Sequence, residues 1–461
     1  SGGAFVAAPK ISSDGSLTHV AWTGNDGVHV RGISATGAPM GLNVTLTPTV
    51  GSYILADMHS AGADAVASFV HLIGGFSGPK HLKAHRIAPN GMLPWGVAPA
   101  VIFDGGSLQF GNFPSFSIDG SGESLFTWYS SSPALECFAQ RITANGAELW
   151  PHNGVAVSTA SGGVRVNPSA ALDASTGDVL VTWVELNAAQ SMHGISAQRI
   201  SASGTRLWSD SGVAVVPVGA SGAGLPKVFS APSTGDAFLV WEEEPSFGSD
   251  QLFGARLNAS GGVAVPRFDV ASTPSGKARL AGSPGRLGGL LLAWSDQRSD
   301  GGDIYAQQFD FDGTPGQPEV LSASTCPGVT NTTGVGSQTI VTGSIDHTVN
   351  DVTLWTLDLP QNVFGFFLTS RVSGFVVAPG GAAGNLCLGG SIGRFVGPGQ
   401  IQNSGSAGMM QLDIDLTQQP TPTGPVAVMA GEEWFFQAWH RELGASGTTS
   451  NFSGASSVTF Q

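Results

Sequence analysis

The sequence predicts an all-β protein in which a six-bladed β-propeller is followed by a β-sandwich domain. Three observations lead to this prediction. Glycine accounts for 66 of the 461 residues, which indicates many tight turns between short strands. β-Branched residues occur in short alternating segments, and long helix-forming runs are absent from the sequence. A pattern of roughly 50 residues recurs six times along the first two thirds of the chain.

Each copy of the repeat contains two anchors and a glycine. The first anchor is an aromatic residue at the end of an apolar strand: Trp22, Phe69, Trp128, Trp183, Trp241 and Trp294. The second anchor ends the next strand: Ile33, Ile87, Ile142, Ile200, Leu257 and Phe309. A glycine stands four residues after every second anchor: Gly37, Gly91, Gly146, Gly204, Gly261 and Gly313. A short hairpin turn that ends in the left-handed region needs glycine there, because a Cβ atom is penalised.

An outer strand such as Gly-Val-Ala-Val and a further short strand between copies bring the number of strands to four per copy. This period favours propeller blades, which we assign to residues 1–322. An array of β-sandwiches is the alternative, disfavoured because each unit has too few strands to bury itself. We expect the N-terminal segment 4–7 to pair with the last blade and close the ring. The repeated Trp, Arg and Gly residues are interpreted as scaffold, so a site is expected where the copies differ.

The repeat stops near residue 322, and residues 323–461 are assigned to a separate domain. Strand candidates there alternate with Gly- and Pro-containing turns, which is typical of a β-sandwich. These candidates are Gln338–Gly343, Asp351–Leu357, Val363–Thr369, Met409–Leu416, Pro425–Ala430, Glu433–His440 and Ser456–Phe460.

Charge and hydropathy restrict the partners and the location of the protein. The net charge is -14 with only 19 Lys and Arg residues, which argues against nucleic acid as a partner. No apolar run approaches the roughly 18 residues that are needed to span a bilayer. The sequence begins at Ser1, without Met or an apolar leader, so we expect a processed protein that is secreted or held at the cell surface.

Carboxylates are predicted to gather on the propeller face where the loops after the Trp strands open. The predicted ligand-binding residues are Glu185, Glu242, Glu243, Asp250, Asp296 and Asp300. Oxygen ligands of this kind suit Ca²⁺ or a cationic ligand, and the predicted metal ligands are Asp303, Asp310 and Asp312. The simpler interpretation, that these acids keep exposed loops solvated, is favoured. Calcium is therefore only one possible cofactor, and the sequence contains no constellation of catalytic residues.

The chain resembles known secreted bacterial proteins in two regions. The stretch Asp303-Ile-Tyr-Ala-Gln-Gln-Phe is similar to repeat units of such proteins, which are mostly not enzymes. The stretch from Asn385 to Phe395 and the ending Ala430-Gly-Glu-Glu-Trp-Phe-Phe resemble a C-terminal module of secreted planctomycete proteins. This resemblance implies an accessory, attachment or sorting role for the module and assigns no catalytic residue.

The three cysteines allow at most one disulfide within the chain. Cys326 and Cys387 flank the start of the module with the planctomycete resemblance and are the predicted pair. Cys137 lies at a strand start, and we expect it to be a buried free thiol.

Three functions follow from these observations. The preferred hypothesis is an extracellular structural or adhesive protein that is not an enzyme and that binds copies of itself or a cell-surface or matrix polysaccharide. The first alternative is a carbohydrate- or calcium-binding propeller that uses the acidic loop face. The second is a glycan-active hydrolase or lyase that uses Glu243 and Asp296 on the same face.

Overall fold

The computed structural model of the protein describes residues 8–15, 17–34, 36–75, 77–220, 222–231, 234–284, 289–299, 301–310, 312–316, 320–444 and 447–461. The chain divides into two compact units, Ser1–Gly316 and Gln317–Gln461. The predicted all-β class is confirmed, since both units are built from antiparallel strands. No helix among the described residues is long and apolar enough to cross a membrane.

The first unit contains six sheets that follow one another along the chain. In the first three sheets the strands are β1 (Lys10–Ser13), β2 (Leu17–Gly24), β3 (Gly27–Ser34) and β4 (Pro39–Leu46); β5 (Ser52–Ala61), β6 (Asp64–Leu72), β7 (Lys80–Ile87) and β8 (Ala100–Phe103); β9 (Ser107–Leu108), β10 (Phe116–Ile118), β11 (Ser124–Ser132), β12 (Glu136–Ile142) and β13 (Val155–Ala156). In the last three they are β14 (Val164–Leu172), β15 (Val179–Leu186), β16 (His193–Ile200) and β17 (Val213–Gly219); β18 (Gly224–Ser230), β19 (Ala237–Glu243), β20 (Gln251–Leu257) and β21 (Val263–Ala271); β22 (Lys277–Pro284), β23 (Leu290–Asp296) and β24 (Asp303–Phe309).

Consecutive sheets of the first unit pack face to face. Five hydrophobic clusters each combine side chains of two sheets that are neighbours along the chain. In β19, for example, Leu239 and Trp241 pack towards the fourth sheet, whereas Phe238 and Val240 pack towards the sixth. Because both faces of an inner sheet are buried, its strands are continuous apolar runs instead of alternating ones.

A recurring joint connects consecutive sheets from the second to the fifth. Trp150 Nε1 donates to the carbonyl oxygen of Ala202 in the following sheet at 3.0 Å, and Trp208 Nε1 donates to that of Ala259 at 3.0 Å. The indole ring of Trp150 lies against Gly204, the repeated turn glycine. Arg199 also spans two sheets, donating to Asp178 Oδ2 at 2.7 Å and to the carbonyl oxygen of Gly235 at 2.8 Å. The repeated Trp, Arg and Gly residues therefore hold the sheets together.

Gly204→Ala is expected to destabilise the first unit more than a glycine substitution at an open turn. Gly204 has φ 88°, and an added Cβ would lie 3.0 Å from Trp150 Cδ1. Gly162 has φ 83° with nothing within 4 Å of the Cβ position, so Gly162→Ala is the matched control. Both variants should lose roughly 1–2 kcal/mol from the left-handed backbone, and Gly204→Ala should lose more through the indole contact. Equal losses in urea unfolding would contradict the proposed joint.

Closure of the six sheets into a ring is not seen in the described part of the chain. The sixth sheet has three strands, and no strand there pairs with the first sheet. The N-terminal segment 4–7, predicted to provide the closing strand, lies outside the described residues. The six-bladed propeller is therefore a proposal.

The second unit contains two larger sheets and a hairpin. Its strands are β25 (Ala323–Cys326), β26 (Gln338–Gly343), β27 (Val352–Leu357), β28 (Phe364–Ser370), β29 (Val372–Val376), β30 (Leu386–Gly389), β31 (Gly393–Arg394), β32 (Gln402–Asn403), β33 (Met410–Ile414), β34 (Glu433–Gly444), β35 (Gly447–Phe452) and β36 (Ala455–Thr459). A 3-10 turn, Pro379–Gly381, joins β29 to β30. The order β25-β36-β34-β28-β31 forms one sheet, with β32 and β35 attached, and β26-β27-β33 forms the other.

One hydrophobic core lies between the two larger sheets of the second unit. Phe367 and Phe436 from the first sheet pack with Leu354 and Leu412 from the second. The predicted strand Pro425–Ala430 is not formed. Instead, Val426 and Val428 donate backbone hydrogen bonds to irregular neighbours at Gln419 and Leu416, so this segment covers the core as an extended loop.

The predicted disulfide between Cys326 and Cys387 is present and links β25 to β30. Cys137 is a free thiol with no exposed surface, as expected. Burial raises the pKa of the Cys137 thiol well above its usual value, which disfavours the reactive thiolate.

Three buried histidines predict a loss of stability in mild acid. Burial lowers the pKa of His19, His85 and His440, so each ring is held neutral in the folded state. In the unfolded chain a histidine titrates near 6.5. As the pH falls below that value the unfolded state binds more protons, and the free energy of unfolding decreases by up to about 1.4 kcal/mol per pH unit for each histidine.

Urea unfolding at pH 7.5 and pH 5.5 measures this effect. We expect lower stability at pH 5.5 and a smaller decrease in His19→Leu. His152→Gln should have the opposite effect and leave the decrease undiminished or larger, because that ring is exposed and the carboxylates of Glu148 and Asp104 raise its pKa, so that its protonation stabilises the folded state. Equal stability of the wild-type protein at the two pH values would contradict the prediction.

Candidate binding pocket

In each of the last three sheets of the first unit, the edge strand that lines the pocket described below, here called the innermost strand, contains an unusual bulge. In β14, Asn167 and Pro168 together lie opposite Trp183, because the register shifts between Val166 and Ser169. In β18 the corresponding residues are Leu225 and Pro226, opposite Trp241, and in β22 they are Arg279 and Leu280, opposite Trp294. The bulge therefore sits at the same position in three sheets, always against the first anchor of the repeat.

The first residue of each bulge has a left-handed backbone. The φ angles are 52° at Asn167, 45° at Leu225 and 56° at Arg279. Such a conformation costs a residue other than glycine on the order of 1 kcal/mol or more. Strained backbone at equivalent positions in three sheets is a feature that clusters at functional sites. The residue in this position differs from sheet to sheet, and a site is expected where the copies of the repeat differ.

The bulges surround one pocket of about 270 Å³ within the first unit. It carries two cations, Lys227 and Arg279, and two amides, Asn112 and Asn167. The other lining residues are Phe113, Pro114, Ser115, Thr127, Trp128, Tyr129, Pro168, Leu225, Pro226 and Leu280. No carboxylate of the described residues lines this pocket.

The two cations of the pocket have no acidic partner in the described ranges. Lys227 is partly buried, and burial lowers the pKa of its ammonium group. Arg279 is exposed. In contrast, Arg165, Arg199, Arg256 and Arg267 of the same unit all form ion pairs. Positive charge without a counter-ion, in a chain of net charge -14, makes this pocket a place that attracts anions.

Two further donors among the lining residues lack acceptors. Trp128 Nε1 and Asn112 Nδ2 are buried and have no hydrogen-bond partner within the described structure. The equivalent indole N–H groups of Trp183 and Trp241 donate to carboxylates two residues further along their strands. In the third sheet that position is Ser130, whose hydroxyl donates to the carbonyl oxygen of Ala134 instead. A buried donor without an acceptor is costly, so these two groups leave unsatisfied polar atoms in the wall of the pocket.

A second cavity of about 620 Å³ lies beside the first. The two cavities share Lys227 and Leu280. The second is lined by later residues of the same four innermost strands, among them Ser117, Ala171, Phe229 and Ala281. Side chains from β10, β14, β18 and β22 therefore line two adjacent cavities.

Three of the acidic residues predicted to bind a ligand are engaged inside the scaffold. Glu185 Oε2 accepts from Trp183 Nε1 at 2.6 Å and from Arg165 Nε at 3.1 Å. Glu243 Oε1 accepts from Trp241 Nε1 at 2.8 Å and pairs with Arg267 at 3.0 Å. Residues two apart on a strand share a face, which places each carboxylate beside the indole N–H of its own strand.

Asp296 makes the same contact with Trp294 and is fully buried. Although burial disfavours its charged form, hydrogen bonds from Arg298, Ser275 and Trp294 hold the pKa of Asp296 well below its usual range. Lys277 Nζ lies 3.3 Å from Asp296 Oδ2. The carboxylate is thus already neutralised by the protein.

The remaining acidic residues predicted to bind ligand or metal are dispersed. Asp250 accepts from the backbone N–H of Lys277 at 2.7 Å, and Asp300 lies outside the described residues. Burial, together with Asp250 and Glu244, raises the pKa of Glu242 to about 7.

The three predicted metal ligands are not brought to one place. Asp303 begins β24 and Asp310 follows its end, so roughly 20 Å of extended strand separates them. Asp312 accepts from the backbone N–H of Thr314 at 2.7 Å in an ordinary turn. No group of three or more His, Cys, Asp or Glu side chains within the described ranges is placed to hold a metal ion.

The pocket residues were not predicted from the sequence, although a signal is present. Proline is disfavoured inside a sheet and is found at bulges and edges. Pro114, Pro168 and Pro226 recur just before or within the innermost strands, and Lys227 directly follows the last of them. With only 19 Lys and Arg residues in the chain, a lysine at that position is informative.

No protein-family model and no curated protein matches the sequence. Among solved structures, the chain is similar to an ulvan lyase of a new polysaccharide lyase family, with TM-score 0.45 and 9% identity over 76% of this chain and 91% of that chain. A soluble aldose sugar dehydrogenase from Escherichia coli gives TM-score 0.36 and 12% identity over 65% and 95%. An α-L-arabinofuranosidase from Clostridium thermocellum gives 0.32 and 10% over 58% and 94%. Similarities this low support no conclusion about the activity of this protein.

Proposed function

We propose that the protein is a secreted or cell-surface adhesive protein that binds an acidic polysaccharide without transforming it. In this proposal the first unit is a six-bladed β-propeller, and its central pocket is the binding site. The second unit is a β-sandwich, similar to the accessory module of secreted planctomycete proteins, and serves for attachment.

Two features support the propeller. The six sheets pack on one another in chain order, with one hydrophobic cluster at each of the five junctions. The innermost strands of four of them face a common cavity. Blades arranged around a central channel account for both observations. For the second unit, two antiparallel sheets with a single core between them support the sandwich.

The observation that carries the binding proposal is the pair of cations without acidic partners in the pocket, Lys227 and Arg279. A carboxylate or sulfate group can accept charge-assisted hydrogen bonds from both side chains. The amide groups of Asn112 and Asn167 and the hydroxyl of Tyr129 suit sugar hydroxyls, which both donate and accept. A lining of apolar and aromatic side chains with a few polar and charged groups is typical of pockets that bind small molecules.

Calorimetric titration with an acidic oligosaccharide tests the proposal. Lys227→Met and Arg279→Met should each weaken binding by roughly 10- to 100-fold, because each removes a hydrogen bond to a charged group. Arg206→Met is the matched control, since Arg206 pairs with Asp210 outside the pocket. Unchanged affinity in the double variant Lys227→Met/Arg279→Met, or equal affinity for a neutral oligosaccharide, would contradict the proposal.

A glycan hydrolase is the second candidate, favoured by one observation. Burial, together with Asp250 and Glu244, raises the pKa of Glu242 to about 7, and a carboxyl group that keeps its proton near neutral pH can act as a general acid. This candidate predicts release of reducing ends from an oligosaccharide and loss of that release in Glu242→Gln. The absence of product after prolonged incubation of the wild-type protein would exclude it for that substrate.

A further inference from the structure

The two adjacent cavities of the first unit differ in charge, and this difference specifies the ligand beyond the proposed function on which it rests. The four innermost strands run through both cavities in the same direction. In β14, residues 167–168 line the first cavity and residues 169–172 the second. In β18, residues 225–227 line the first cavity and residues 227–230 line the second, with Lys227 lining both. The centres of the two cavities are about three residues apart, which is roughly 10 Å along a strand.

Positive charge is confined to the first cavity and its border with the second. Arg279 lines only the first cavity, and Lys227 lies between the two. Apart from Lys227, the side chains that line the second cavity within the described ranges are neutral. These include the hydroxyl groups of Ser117, Ser169 and Ser230 and the apolar side chains of Ile118, Leu172 and Phe229.

We propose that the ligand is a saccharide whose single acidic sugar occupies the first cavity while at least one neutral sugar fills the second. An anion placed in the second cavity would lose hydration with no cation to compensate beyond Lys227, which already serves the first acid. A neutral sugar instead offers hydroxyl groups to the serines and its C–H faces to Phe229 and Leu172. The site therefore discriminates against polymers that carry a charge on every sugar.

Calorimetry with four defined probes tests this inference. The probes are a uronic acid monosaccharide, a trisaccharide with one terminal uronic acid and two neutral sugars, a trisaccharide of three uronic acids, and a neutral trisaccharide. The single-acid trisaccharide should bind about tenfold or more tightly than the monosaccharide and the three-acid trisaccharide. The neutral trisaccharide should bind more weakly than the single-acid one.

Two substitutions fill the second cavity and leave both cations, Lys227 and Arg279, in place. Ala281→Trp and Pro284→Trp replace exposed residues that line the second cavity and not the first. Each should reduce the affinity for the single-acid trisaccharide to that of the monosaccharide and leave the monosaccharide affinity unchanged. Using two positions guards against a failure of one variant to fold, which circular dichroism would reveal.

The outcomes separate this inference from the proposed function. If the three-acid trisaccharide binds as tightly as the single-acid one, or if both tryptophan variants have no effect, the inference is overturned. The proposed function still stands in that case, provided that Lys227→Met abolishes binding of the monosaccharide. If Lys227→Met leaves the monosaccharide affinity unchanged, the proposed function itself fails.

Discussion

Arg165→Met is expected to lower the free energy of unfolding of the first unit by about 3–5 kcal/mol. The Arg165 side chain is 1% exposed, and it donates to Glu136 Oε2 at 2.7 Å and to Glu185 Oε2 at 3.1 Å. It also donates to the carbonyl oxygen of Ala160 at 2.7 Å. Removing the guanidinium leaves two partly buried carboxylates close together with no cation between them, and this unpaired charge is the source of the loss.

Urea unfolding followed by tryptophan fluorescence measures this effect. Arg206→Met is the control, because Arg206 pairs with Asp210, whose side chain is 79% exposed. Exposed pairs contribute little, so the control should lose less than about 1 kcal/mol. A triple variant that also carries Glu136→Gln and Glu185→Gln should recover part of the loss, because no unpaired charge remains. Equal losses in Arg165→Met and Arg206→Met would show that the buried triad does not stabilise the unit.

Removal of the disulfide is expected to destabilise the second unit by a similar amount. Cys326 and Cys387 are 61 residues apart, and opening a loop of this length costs about 4 kcal/mol in the chain-entropy description. The double variant Cys326→Ala/Cys387→Ala should therefore unfold at clearly lower denaturant concentration in the intact chain.

Cys137→Ala provides the control for the loss of cysteine itself. It removes a buried thiol that forms no disulfide, and it should cost only about 1 kcal/mol, as is usual for a small substitution in a core. Addition of a reductant should shift the unfolding of the wild-type protein towards that of the double variant. No shift with reductant, together with full stability of the double variant, would contradict the assignment.

The repeat could be predicted because its determinants are local. The four-residue spacing between Ile200 and Gly204 defines a turn that requires a left-handed glycine, and the same spacing in six copies defines the sheets. The second unit was harder to predict. Its β25 pairs with β36 across more than a hundred residues, and no local pattern encodes that pairing. The short strands β31 and β32 were missed for the same reason.

The candidate site could not be assembled from the sequence. Its residues come from four sheets, between Asn112 and Arg279, and only the packing of those sheets brings them together. The acidic residues were predicted to bind a ligand because they follow the anchor tryptophans. Their spacing of two residues from Trp183, Trp241 and Trp294 already indicates that each carboxylate shares a strand face with an indole N–H. The same spacing in three sheets is a property of the scaffold and not of one site.

A crystal structure of the protein with a bound acidic oligosaccharide tests the central claim most directly. The proposal predicts that the carboxylate or sulfate group lies within hydrogen-bond distance of both Lys227 and Arg279, between the bulges at Asn167 and Leu225. A saccharide bound instead at the carboxylate-bearing ends of β15, β19 and β23, with the pocket around Lys227 empty, would contradict it.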